Sequence, residues 1–480
     1  MLFNSWQYAL FFPIVFVLYW GLPHKFRTAI LLIASYWFYM SWNVKYVVLI
    51  LFTTLASYFA ALLLDRTDSQ RMKRLILSIT LIACLGVLFV FKYFNFFAGA
   101  FVDFMNMFAL HLHPMTLKLL LPVGISFYTF QTLSYVIDVY RGSVKPEQNF
   151  FVYALFVSYF PQLVAGPIER TNNLLPQIKA VHEFNYEQAT YGVKLMTWGF
   201  FKKLCIADVV AVYVDRVFAD VYSYEGFALV LAVFFFTVQI YCDFSGYSDI
   251  ARGCSKMLGI DLMENFRSPY FSASIREFWS RWHISLSTWF RDYVYIPLGG
   301  NRCGKFRHNM NLMITFMISG LWHGADWTFV LWGAVHGLAQ IVENMFVSRK
   351  QEVHGVMRGV RVCLTFLFVM MAWVFFRAGS LSEAIYVFSN MFNGIARHIY
   401  YLRIGFNTMR IERVAFISVS ILIFILFAHD CFSALAKHNA MEKISRSRLT
   451  VRWLIYLALG LIVLFLSPKG VATEFVYFQF

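Results

Sequence analysis

Long unbroken apolar runs, separated by short basic or polar breaks, recur from one end of the 480-residue chain to the other; Leu75 to Phe91 and Ile417 to Phe427 are two of them. A bilayer core about 30 Å thick needs about 20 apolar residues per helical crossing, and runs of this kind suit it. A membrane β-barrel would need short segments of alternating polarity, which is not the pattern here. Lipid offers the backbone no hydrogen-bond partner, so a continuous apolar segment must bond to itself, as a helix does. Candidate spans fall at roughly 7–22, 29–42, 46–64, 75–91, 117–138, 150–166, 188–212, 226–242, 309–321, 327–346, 360–376, 413–432 and 453–467, with ends uncertain by about 2–4 residues. Several are shorter than about 20 residues, which suggests re-entrant segments or helices enclosed by protein. The expected fold is all-α, a polytopic integral membrane helical bundle with re-entrant or amphipathic helices. It reads as a single membrane domain over 1–480 with a motif-dense core at about 120–340, without repeats, flexible linkers or a soluble domain.

Composition agrees. Hydrophobic residues make up 60% of the chain, aromatic residues 20% and charged residues 14%, against about 45–50% apolar and about 25% charged in a soluble domain. The formal net charge of +15 could signal nucleic acid. The basic residues instead border apolar runs, where loop lysines and arginines lie against anionic lipid, so membrane lipids are expected partners and nucleic acid is not. Lys25 and Arg27, then Arg66, Arg71, Lys73 and Arg74, and finally Lys437, Lys443, Arg446, Arg448 and Arg452 mark one cytoplasmic side and place both termini outside. Arg397, Arg403, Arg410 and Arg413 weaken that assignment for the 377–412 loop. Cys84, Cys205, Cys242, Cys254, Cys303, Cys363 and Cys431 show no CxxC or metal-ligand spacing, so neither a disulfide framework nor a structural zinc is expected. Met1 to Gln7 carries no charge and no small-residue cleavage pattern follows, which reads as a retained first span.

Polar residues inside membrane segments are costly, and they suggest either function or a polar interior. Four stretches hold them. In the first, Gln131 and Asp138 share a helix face and Asp138 can pair with Arg141; a polar seam between helices explains this as well as chemistry does. In the second, Phe160-Pro161-Gln162 through Gly166-Pro167-Ile168-Glu169-Arg170 breaks an apolar run with two prolines and a glycine, as an ordinary loop or a wet broken helix. The third runs from Asp243-Phe244-Ser245-Gly246-Tyr247-Ser248-Asp249 to Phe278-Trp279-Ser280-Arg281-Trp282-His283 and ends at Pro297 to Arg302. Read as one helix, 275–296 puts Phe278, Trp282, Leu286, Trp289 and Tyr293 on an apolar face and His283 on a face with Trp279, Ser287 and Phe290. Its charges, Arg276, Glu277, Arg281, Arg291 and Asp292, argue against lipid exposure, and His283 taken alone suits a core histidine better than a catalyst. The fourth is Gly320-Leu321-Trp322-His323-Gly324, where small neighbours admit another backbone or a substrate. His323 and Trp327 are expected on one face, and His336 nearly opposite if the helix continues. A buried histidine keeps its neutral, basic form, so His323 could move a proton or simply be a satisfied structural residue.

Four stretches together carry a family resemblance: Phe160 to Arg170; Tyr241-Cys242-Asp243 to Asp249; Arg281-Trp282-His283-Ile284-Ser285-Leu286-Ser287 with Trp289-Phe290-Arg291-Asp292-Tyr293; and Gly320 to Gly324. They resemble the membrane-bound O-acyltransferase (MBOAT) family, and more narrowly its bacterial alginate O-acetylation (AlgI-type) branch. The closing Phe475 to Phe480 looks like the end of that branch. One departure is Ser280, where a basic residue is usual beside Arg281.

The resemblance implies a bundle around a central tunnel that links a cytoplasmic acyl donor with an acceptor across the membrane. It implies His323 and His283 as catalytic residues. Beside them, Trp282, Arg281, Arg291, Asp292, Trp322, Asp243 and Asp249 are candidate substrate-binding residues, with lipid headgroups an equal alternative to donor phosphates for Arg281 and Arg291. The resemblance further implies acetyl-CoA as acyl donor, no tightly bound cofactor and no metal. The implied partner is an extracytoplasmic SGNH-type acetyltransferase that acts on a polysaccharide such as alginate, from a multi-pass place in the bacterial inner (cytoplasmic) membrane. Two other readings are a polysaccharide or lipid transporter with proton-relay histidines, and D-alanyl or other acyl transfer within the same family.

Overall fold

The computed structural model describes residues 1–346, 354–436, 440–445, 447–467 and 475–476. Lys437, Arg446 and the last four residues of the C-terminal motif lie outside the described residues. The described chain is helical and holds no strand. Among the described residues, six helical segments are long and apolar enough to cross a membrane: Val44–Arg66, Gln70–Asn106, Phe227–Met257, Gly355–Arg377, Arg413–Leu435 and Leu449–Leu466. The protein is therefore a multi-pass membrane protein, and the other expected spans fall in shorter, broken or more polar helices. The chain folds into two compact units, Met1–Val193 with Ala251–Met263, and Lys194–Ile250 with Glu264–Phe480.

The first unit contains α1 (Trp6–Gly21), α2 (His24–Met40), α3 (Val47–Arg66), α4 (Gln70–Leu88), α5 (Phe94–Asn106), α6 (Ile125–Tyr140), α7 (Phe150–Ser158), α8 (Phe160–Leu163) and α9 (Thr171–Lys179). A π turn at Phe89–Tyr93 joins α4 to α5, so the expected 75–91 span is part of a 37-residue helix. The expected span at 117–138 becomes helical only at Ile125. Gly124 before it has φ +74°, and a Cβ there would lie 2.5 Å from the Leu163 carbonyl oxygen.

The 150–166 span breaks at Tyr159. The Phe160 N–H turns to Ser35 Oγ at 3.1 Å. The Phe156 carbonyl that it would have served in a continuous helix takes the Gln131 and Gln162 side-chain amides instead, at 2.7 and 3.2 Å. The polar seam expected around Gln131 thus repairs the proline break. Past the break, the fully buried Glu169 accepts from the Met263 N–H at 2.5 Å and Asn173 Nδ2 at 2.6 Å, and burial pushes its carboxyl up to about 7.

The second unit takes in α10 (Tyr186–Phe200) from Lys194, a π turn at Phe201–Ala207, α11 (Asp208–Phe218) and α12 (Phe227–Met257) through Ile250. It continues with α13 (Ile275–Arg281), α14 (Ile284–Phe290), a π turn at Arg291–Tyr295, α15 (Lys305–His323), α16 (Trp327–Phe346), α17 (Gly355–Arg377), α18 (Leu381–Asn390), α19 (His398–Thr408), α20 (Arg413–Ala436), α21 (Ala440–Ser445) and α22 (Leu449–Leu466). α15 and α16 pack as a tight hairpin. A Cβ at Gly320 would stand 2.1 Å from the Phe329 carbonyl oxygen, and one at Gly333 2.2 Å from that of Phe316. Gly320, one turn before His323, and Gly333 across the hairpin therefore each admit a neighbouring backbone.

Candidate active site

The second unit gathers both motif histidines. His323 is the last residue of α15. The helix stops there because Gly324 is extended (φ −151°, ψ 147°), and the Phe329 ring fills the space where a side chain at Gly324 would go. This overturns two expectations. His323 and Trp327 do not share a face, since Trp327 opens the next helix and is 61% exposed. His336 is not on the far side of a continuing helix, because α16 turns back. Trp332 contacts both the His323 ring (5.2 Å between centroids) and the His336 ring (5.0 Å). His336 is fully buried, with its Nδ1 3.3 Å from the Trp279 indole nitrogen, which donates to it.

His283 sits at a second break, and here the single helix expected over 275–296 is also corrected. α13 closes with the Trp282 N–H on the Phe278 carbonyl (2.8 Å), and α14 opens with the Ser287 N–H on the His283 carbonyl (2.9 Å). Between them His283 is left-handed, φ +42° and ψ 54°, so it leaves the face of Trp279, Ser287 and Phe290. A non-glycine residue in this region costs about 1–3 kcal/mol and persists where its surroundings hold it. They do. The Asn265 carbonyl accepts the Ile284 N–H at 3.0 Å, Asn265 Oδ1 accepts the Ser285 N–H at 3.2 Å, and the Arg267 N–H donates to the Arg281 carbonyl at 3.0 Å. Asn265 Nδ2 in turn donates to Ser248 Oγ on α12 at 3.3 Å.

The two breaks bring the motifs together. The His283 and His323 rings stand 6.4 Å apart, and Trp322 closes the third side at 6.0 Å from His283 and 4.9 Å from His323. Phe244 meets His283 edge-on at 4.5 Å. Both histidines are buried, and burial pushes the His283 imidazole down to about 3, so it is neutral at physiological pH. An imidazole can accept a proton on one ring nitrogen and donate a hydrogen bond from the other, so two such rings within an aromatic wall can divide these tasks.

The remaining expected binding residues divide. Trp282 is fully buried between Phe266 (5.0 Å), Phe278 (5.5 Å) and Trp373 (5.1 Å), so it packs against the core. Asp243 pairs with Lys203 at 2.7 Å and accepts the Val476 N–H at 2.7 Å, while Lys203 also holds Asp208 at 2.9 Å. Asp249 pairs with Lys202 at 2.7 Å, and Lys202 also donates to Ser245 Oγ at 2.9 Å. Arg281 pairs with Glu277 at 2.6 Å. Arg291 and Asp292 pair at 2.8 Å. Of this set, Arg291 lines a cavity of about 230 Å³ that Arg276, His308, Trp279 and Ser319 also line. Ser319 is one turn before His323 on α15.

Residue reading passed over several groups that shape the site. Asn265 lies in an unremarkable loop and announces itself by nothing in the sequence. Glu343 accepts the Ile275 N–H at 2.6 Å and so caps α13 from a distance of 68 residues. Lys202 and Lys203 did leave a signal, two adjacent cations inside the apolar 188–212 run.

Against known proteins, the family model described as "MBOAT, membrane-bound O-acyltransferase family" matches residues 145–382. The "Probable alginate O-acetylase AlgI" of Pseudomonas aeruginosa is 41% identical over 394 residues, covering 80% of this chain and 73% of that protein. The chain belongs to the membrane-bound O-acyltransferase family. The "Peptidoglycan O-acetyltransferase" of Helicobacter pylori is 35% identical over 490 residues, covering 94% of this chain and 91% of that protein. The "Teichoic acid D-alanyltransferase" of Bacillus subtilis is 29% identical over 233 residues, covering 47% and 59%. As an MBOAT member the chain is an O-acyltransferase, and matched residues 145–382 contain His283, His323 and the clamp around them.

Proposed function

We propose that this MBOAT protein moves an acetyl group from a cytoplasmic thioester, acetyl-CoA, through a central tunnel for O-acetylation of an extracytoplasmic polysaccharide, with an SGNH-type enzyme as partner. The apposition of His283, His323 and Trp322 carries the proposal. A thioester is already activated, so placement and a base supply most of what the reaction needs. Neutral His323 takes the proton from the acceptor hydroxyl as that oxygen attacks the thioester carbonyl. The carbon–sulfur bond breaks, and the departing thiolate takes the proton from His323. His283, neutral for lack of solvent, donates its ring N–H to the oxygen on which charge develops. Arg291 and Arg276, at the cavity, offer guanidinium groups to the donor's phosphates. Arg281, paired with Glu277, does not line that cavity.

The setting is the bacterial inner membrane, with the basic loops on the cytoplasmic side. Replacing His323 with Ala is expected to abolish acetyl transfer from labelled acetyl-CoA while the protein still inserts in the membrane. Full acetylation by that variant would overturn the assignment. Alginate is one acceptor; the 94% coverage by a peptidoglycan-acetylating relative favours peptidoglycan as the second reading. Deleting the protein and measuring base-labile acetate on each isolated surface polymer decides between them.

A further inference from the structure

α20 buries an acidic residue, Asp430, within the candidate span Arg413–Leu435, and α12 buries Tyr241 within another. Each is costly in an apolar span unless it is satisfied and serves a purpose. They satisfy one another: the Tyr241 hydroxyl donates to Asp430 Oδ2 at 2.6 Å, and His429 Nδ1 stands 3.1 Å from Asp430 Oδ1. The Tyr241 ring, fixed at its far end by that bond, lies against Tyr270 (5.2 Å), Phe266 (6.0 Å) and Trp282 (6.2 Å). Trp282 is the residue that leads into His283, where the backbone turns left-handed.

Tyr241 has company along α12. Phe244, three residues on, meets the His283 ring, and Ser248, seven on, bonds to Asn265, which clasps the amides of Ile284 and Ser285. Positions 241, 244 and 248 fall on one helix face. That face holds the strained corner at three successive points: before the histidine, at its ring, and after it.

We infer that Asp430 is a positioning residue for His283, acting through the Tyr241 hydroxyl to hold Trp282 and so the direction of the His283 ring. The inference rests on the functional reading of His283 proposed above. Without the carboxylate, Tyr241 loses its anchor, the Trp282 ring gains freedom, and the corner can relax.

The test uses the full chain in membranes and in detergent, with Asp430→Leu, Asp430→Asn and Tyr241→Phe. Asparagine retains an acceptor for the hydroxyl. Two readouts are taken: turnover with labelled acetyl-CoA, split into kcat and KM, and the rate at which diethyl pyrocarbonate modifies His283, mapped by mass spectrometry. Asp430→Leu and Tyr241→Phe are expected to lower kcat about 10- to 100-fold with KM for the thioester little changed, as a displaced catalytic group would. The same two variants are expected to raise His283 modification about 10-fold through local opening. Asp430→Asn should stay close to wild type in both. If Asp430→Leu does not accumulate, Tyr241→Phe, which removes one oxygen and leaves the ring, still decides.

Wild-type kcat in Tyr241→Phe, or lowered kcat with unchanged His283 protection, would overturn the inference. Should wild-type membranes take no label from acetyl-CoA, the donor assignment fails, and the His283 protection pattern still decides the positioning role.

Discussion

His283 and His323 are both motif histidines, yet their backbones differ. His323 ends an ordinary helix, whereas His283 occupies a left-handed corner that Asn265 clamps. The Asn265→Ala variant leaves the buried Ser285 N–H without its acceptor and frees Ser248, at a cost of about 1–3 kcal/mol. It is expected to lower both the thermal unfolding temperature in detergent and the turnover; unchanged turnover would mean that the corner holds its shape without the clamp. The depressed pKa of His283 has a consequence for pH. The unfolded chain binds a proton at this site below about 6.5, while the folded chain resists protonation until about 3. Stability contributed by neutral His283 is therefore fully present above about 6.5 and is lost as the pH falls toward about 3. The unfolding temperature is expected to drop across that window, and less steeply in His283→Gln.

At the scale of elements, the α15–α16 hairpin and the broken α13–α14 pair set the site. The hairpin depends on Gly320 and Gly333, where backbones approach too closely for a Cβ. Gly333→Ala pushes a methyl group onto the Phe316 carbonyl, which the hairpin can relieve only by separating its helices. The expected cost is about 1–3 kcal/mol or more, read as reduced protein in the membrane and a lower unfolding temperature. A stable, fully active Gly333→Ala protein would show that the hairpin has slack. The motif Gly-Leu-Trp-His-Gly was legible as unusual, and its glycines as sites of close approach. The gap between the expected 309–321 and 327–346 spans falls where the chain reverses, but that the group approaching Gly320 is the Phe329 carbonyl was not legible, because spacing does not say which backbone atoms meet. Apolar periodicity likewise continued through Trp282 and His283, since the aromatic residues on both sides of the break are buried and keep helical spacing.

At the scale of the whole molecule, the second unit tolerates ions in its interior by pairing them. Lys203 lies between Asp208 and Asp243, and Asp243 also fastens the backbone at Val476, so residues 203, 243 and 476 meet at one point. Replacing Lys203 with Met leaves two buried carboxylates without their cation, and breaking such a pair costs about 3–5 kcal/mol. Lys203→Met is expected to accumulate poorly, with Asp243→Asn in the same chain restoring part of the loss; normal accumulation of Lys203→Met would contradict the pairing. Asp243 stood out in the sequence as a candidate for substrate. The structure adds its pairing with Lys203 and the Val476 N–H, partners that spacing along the chain could not reveal.

Composition and the length of apolar runs determined the class by themselves, because solvent imposes that requirement residue by residue: lipid forbids unsatisfied backbone and admits about 20 apolar residues per crossing. Local motifs likewise marked both histidines, since a polar side chain in an apolar run is conspicuous wherever it ends up. What only the tertiary structure decided is direction. Whether His283 faces Trp279 or Phe244, whether His336 opposes His323 or shares Trp332 with it, and which cation Asp243 pairs with all depend on chain breaks and on partners tens to hundreds of residues away. Such contacts leave no periodic trace in the sequence, because they are stabilised by groups that become neighbours only after the helices pack.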